Sequence, residues 1–156
     1  MQNPALGAVL LWRFAKAHAD AHPQKQSPVL PVSFLILPLL WHAATAEPLA
    51  GTQNSSGLRK YAAKFTHPTG GARDVLLSLQ NRATRWRAKT LESLRVAFAT
   101  GLLDLGDDGR IVAQASVREP KQNRTVAQMV DGAEKIGVWF APLTVEEVSL
   151  ILQVRF

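Results

Sequence analysis

Residues 28–42, PVLPVSFLILPLLWH, form the most apolar run of the chain and contain three prolines. A helix that crosses a bilayer needs about 20 consecutive apolar residues, and this run falls short of that. A secretory signal would set its apolar stretch behind a basic start at the N-terminus, whereas here an amphipathic stretch comes first. The run therefore reads as a buried core element, with no membrane partner. Pro28 and Pro31 suit an extended lead-in and a first helical turn, and Pro38 would kink a helix by removing one backbone donor. Periodicity leaves a fully buried strand over residues 32–37 open beside the kinked helix.

Around this core, 156 residues that are 47% hydrophobic and 19% charged fit one globular domain, residues 1–156. The chain has no cysteine, which rules out disulfides, thiolate zinc sites and cysteine nucleophiles and points to a reducing cytoplasm.

Asn3, Pro4 and the train Leu6, Val9, Leu10 and Phe14 predict a capped first helix that ends near Ala19. Residues 47–57, rich in Gly, Ser, Asn and Thr, read as a mobile loop, 58–65 as a short helix and 66–71 as another loop. Residues 72–100 lack Gly and Pro and carry apolar side chains at helical spacing. They predict either one long helix or two that divide near 87–90. Gly101 ends this stretch, and GDDG at 106–109 sits between two short apolar pieces as in a β-hairpin over 101–113. Two last helices, 125–139 and 145–152, are expected, with Thr144 and Glu147 forming a capping box. The fold class is mainly α with one small hairpin, and 58–113 has the order of a winged helix-turn-helix.

Few residues suggest chemistry. Neither type of Gly-rich phosphate loop is present, and Gly70 and Gly71 before a helix are a weak anion signal. His18 and His22 stand four apart, but a metal site needs more ligands. A calcium loop begun at Asp104 fails at its third and twelfth positions, Gly106 and Ala115. There is no Gly-x-Ser-x-Gly elbow. No catalytic, cofactor-binding or metal-binding residue is predicted, and the chain is expected not to be an enzyme.

Charge is the positive signal. The net charge is +6, and residues 59–95 hold nine Lys or Arg against Asp74 and Glu92 alone, a local excess of +7. Such a segment suits nucleic acid or the acidic face of a protein, although a basic face can also be merely solvated. Helical spacing puts Arg82, Arg85 and Lys89 on one side. With Arg87 and the hairpin's Arg110 they are the candidate contacts, and reversing the charge of Arg82 and Arg85 is expected to leave the fold intact. Trp12, Trp139 and Phe140 are candidate interface anchors, with ordinary core residues as the alternative.

The segments NPALGAVLLWRFA (3–15), PVSFLILPLLWH (31–42), GLRKYA (57–62), TLESLRVAFATGLLDLGDDGRI (90–111) and AEKIGVWFAPLTVEEVSLILQVRF (133–156) occur in this order. Together they resemble the middle component of bacterial three-component ABC-ATPase conflict systems. The resemblance implies a non-catalytic adaptor between a large SMC/Rad50-like ATPase and an effector subunit in anti-phage or anti-plasmid defence. It carries no catalytic motif over to this chain. The chain departs from the expected pattern at Phe156, where a proline would follow Val-Arg, and in the polar stretch EPKQNR.

Overall fold

The computed structural model describes residues 2–66, 72–115 and 121–156. Helix α1 (Pro4–Ala21) opens as the sequence predicts: the Asn3 side chain accepts a hydrogen bond from the Leu6 amide at 2.7 Å, and Pro4 fills the first turn. Its buried stripe of Leu10, Leu11, Phe14 and Ala15 makes it the axis on which the other elements pack.

The proline-rich run is neither a regular helix nor a strand over 32–37. It enters extended, pairing with the hairpin through Ile111 N–H to Pro28 O (2.9 Å) and Leu30 N–H to Gly109 O (3.0 Å). A 3-10 turn (Leu30–Leu35) then widens into α2 (Ile36–Leu40), whose residues are all buried. At Trp41 and His42 the path bends by 94° into α3 (Ala43–Ala50). Among the described residues no single helix is long and apolar enough to cross a membrane.

Part of the stretch expected as a loop at 47–57 is therefore helical. Pro48 lies inside α3, and the helix survives because its last carbonyls find donors from afar: Lys135 Nζ reaches Leu49 O at 3.1 Å, and Lys64 Nζ reaches Pro48 O at 3.3 Å. A 3-10 turn (Asn54–Ser56) leads to α4 (Gly57–Ala63), where the Tyr61 hydroxyl donates to Thr45 O at 2.9 Å. The predicted loop at 66–71 lies outside the described residues from 67 onward, as do Gly70 and Gly71.

The long stretch is divided twice, at Ser78 and Trp86 rather than at 87–90, into α5 (Ala72–Leu77), α6 (Leu79–Arg85) and α7 (Arg87–Ala99). Bonds from Ser78 N–H to Asp74 O and from Thr90 N–H to Trp86 O span the breaks, so the three form one bent helical run. The hairpin follows, with β1 (Leu103–Leu105) antiparallel to β2 (Ile111–Ala113). The far edge of β2 is covered at Val29, so the hairpin is built into the body and does not project as a wing.

Helix α8 (Arg124–Phe140) lies along α1 at unusually close range. A Cβ on Gly137 would stand 2.5 Å from Phe14 O and 2.9 Å from His18 N, so only glycine permits the crossing. Helix α9 (Val145–Leu152) begins with the predicted capping box: Glu147 N–H donates to Thr144 Oγ1, and Thr144 N–H to Glu147 Oε2. Buried side chains from α1 to Val154 form one contiguous core.

Candidate partner-binding site

The basic residues of α6 and α7 divide between inside and outside. The buried positions Leu79, Arg82, Thr90, Ser93, Leu94 and Ala97, with half-buried Trp86 between them, form a stripe of helical period. Arg82 falls on that stripe and is only 7% exposed, whereas Arg85, Arg87 and Lys89 are exposed. The expected shared face of Arg82, Arg85 and Lys89 is thus not formed. A Glu at position 82 would bury a carboxylate, so the double charge reversal would not leave the fold intact. Arg110 belongs to a different neighbourhood, where it donates to Ser27 O at 2.7 Å and faces Asp108 at 3.4 Å.

Arg82 has an unusual setting for a buried cation. Its Nη1 donates to Val75 O (3.0 Å) and to Ser78 Oγ (2.6 Å), which ties it to the α5–α6 break. Its Nε and Nη2 are buried without an acceptor. Beside it lies the corner between α2 and α3, where Trp41 Nε1 and His42 Nδ1 are also buried and unpaired. The Trp41 and Trp86 rings stand 6.0 Å apart. Burial, with the Arg82 charge second, holds His42 below the usual histidine pKa, and burial also lowers the pKa of Arg82. Each buried donor left without an acceptor costs about 1–3 kcal/mol. Sequence reasoning missed this cluster because it read Arg82 as surface. The available signal was Arg82's place on the period 79, 82, 86, 90, together with Trp41 and His42 at the end of the apolar run.

Trp12, Trp139 and Phe140 lie in the core, with 2%, 2% and 1% exposure. The Trp12 indole donates to Gln114 O and that of Trp139 to Asn54 O, while Phe140 meets Phe14 edge to face. Surface anchoring would need them outside, so their role here is packing. The large apolar side chains that do reach solvent are others, above all Leu150 at 78% and Leu105 at 54%.

A family model described as ABC-three component (ABC-3C) system Middle Component 3 matches residues 1–156. The chain belongs to that family. Comparison with curated proteins and with solved structures found no match.

In this middle component, His18 and His22 border a cleft of about 300 Å³ with Arg110, Phe140 and the start of α9. Their rings stack at 5.7 Å, and His18 Nδ1 lies 3.1 Å from Gln26 O, which makes it the donor of a neutral imidazole. Burial is the main cause that pushes the His18 pKa down to about 4. Among the described residues no three His, Asp or Glu side chains are grouped to hold a metal.

Proposed function

We propose that this Middle Component 3 protein is a non-catalytic adaptor, working in the cytoplasm, that joins an SMC/Rad50-like ABC ATPase to an effector subunit in a bacterial defence system. The observation that carries the reading is the match to the middle-component family over all 156 residues. Exposed Leu150 and Leu105 and the unpaired donors around Arg82 support it, since both are features that a protein partner would cover. The test is co-expression with the ATPase and effector of its own system, followed by size-exclusion chromatography. A three-part complex that falls into free ATPase and free effector when the middle component is omitted is the expected result. ATPase and effector that associate equally well without it would refute the reading.

The second reading is nucleic-acid binding, favoured by exposed Arg85, Arg87 and Lys89 on α6 and α7, which have no acidic partner among the described residues. Binding to generic duplex DNA that weakens steeply with salt, and is lost in Arg85→Glu with Lys89→Glu, is its signature. These exposed sites replace Arg82 in the charge reversal.

A further inference from the structure

We infer that the corner formed by Trp41, His42 and Arg82 is a receptor for a single carboxylate, an Asp or Glu side chain on a protein partner. The inference rests on the adaptor reading and names one of its contacts. Four polar atoms lack partners there: Arg82 Nε and Nη2, Trp41 Nε1 and His42 Nδ1. The first three are obligate donors, and His42 becomes one as its Nδ1–H tautomer. Native chains leave few buried polar groups unpaired, and a cluster made almost wholly of donors calls for an acceptor that carries negative charge. Among the described residues no Asp or Glu makes an ion pair with Arg82.

The setting also selects the form of that acceptor. Arg82 is more than nine-tenths buried, while Trp41, His42 and Trp86 are half-buried and form the rim. A guanidinium with two free N–H groups matches the two oxygens of one carboxylate, and the indole rings suit the methylene stem of Glu. A nucleic-acid backbone carries its charges in a row and is met by exposed cations. Arg85 and Lys89 offer that, and Arg82 does not. The partner's acid therefore enters by the Trp41–His42 corner, with the Trp41 ring moving aside.

The test starts with nitrogen-resolved NMR of the full chain. The probes are N-acetylglutamate methylamide, its glutamine counterpart and inorganic phosphate. The Trp41 indole and Arg82 Nε–H signals are assigned with Trp41→Phe and Arg82→Lys. The glutamate probe should shift both signals progressively and leave Trp12 and Trp139, whose indoles are already bonded, in place. The glutamine probe should shift neither. Signals that stay still, that move equally at all four tryptophans, or that respond to phosphate and not to glutamate would overturn the inference.

In the assembled complex, Arg82→Lys and Trp41→Phe, each confirmed folded by thermal melting, should weaken capture of one partner subunit by about thirtyfold or more. Undiminished capture by both variants would overturn the receptor and leave the adaptor standing. A wild-type chain that captures neither subunit would defeat the adaptor reading, and the probe titration would still decide the corner on its own.

Discussion

Gly137→Ala should destabilise the chain, although alanine is the better helix former. An added Cβ would lie 2.5 Å from Phe14 O and 2.9 Å from His18 N, short of ordinary carbon-to-oxygen contact, about 3.3–3.6 Å, by roughly 1 Å. Both neighbours are backbone atoms of α1, so no side chain can rotate away. Helix α8 has to lift from α1, which loosens Ile136, Trp139 and Phe140, all buried. Overpacking of this kind costs about 1–3 kcal/mol, and where only backbone can yield we take the upper part of that range. Helix propensity returns about 1 kcal/mol. The net loss of roughly 2 kcal/mol corresponds to a fall in Tm of about 4–8 °C for a chain of this size. Gly132→Ala is the control, because its Cβ would meet only the methyl ends of Leu40 and Leu49, and propensity should leave its Tm within about 2 °C of wild type. Thermal melts followed by circular dichroism decide the matter. Gly137→Ala melting at or above wild type would refute the claim that α1 and α8 meet backbone to backbone.

Three further outcomes are expected. His18 has a folded pKa near 4 against 6.5 when free, so the unfolded chain binds the extra proton between those values. Its contribution is complete above pH 6.5 and is lost as pH falls toward 4, by about 2–3 kcal/mol. Urea midpoints at pH 7 and pH 4.5 should show that loss in wild type and a smaller one in His18→Gln, with His42 supplying part of the residual slope in the same direction. Thr144→Ala removes the acceptor for Glu147 N–H and should cost about 1 kcal/mol in the same assay. Arg82→Met should leave the isolated chain as stable as wild type or stabilise it by about 1–3 kcal/mol, because it removes unpaired buried donors. A clear loss of stability would mean that Arg82 serves mainly to hold the α5–α6 break.

What the sequence made legible was local. Asn3 with Pro4, Thr144 with Glu147, and GDDG each act within a few residues, and all three appear where spacing puts them. Helix α3 was not legible, because the lysines that satisfy its terminal carbonyls come from α8 and from just beyond α4. The same holds for the breaks in the long stretch. Ser78 Oγ turns back to Val75 O at 2.9 Å and Arg82 closes over the turn, an arrangement that apolar periodicity does not register. Arg82 shows most clearly how charge misleads. Read by its charge it is surface, and read by its position, three after Leu79 and four before Trp86, it belongs to the core stripe.

That conflict between residue type and position bears on function. The contact of α1 with α8 is largely apolar, closes over glycine and is edged by the Arg13–Glu134 ion pair, so this half of the molecule is built to be finished on folding. The inner side of α6 and α7 is different: Arg82, Thr90 and Ser93 are buried there with polar atoms unpaired, and Trp41 and His42 add two more at the facing corner. Scattered unpaired groups would be ordinary imperfections of packing. Ser93 faces Gly7 of α1 inside the core, but Arg82, Trp41 and His42 gather theirs at one half-buried corner, a surface that loses stability in isolation and regains it when a complementary group arrives. An adaptor has reason to retain such a surface, since an apolar replacement at Arg82 would favour the free chain over the assembled one. A stable but assembly-poor Arg82→Met is thus the behaviour that separates a docking residue from a structural one.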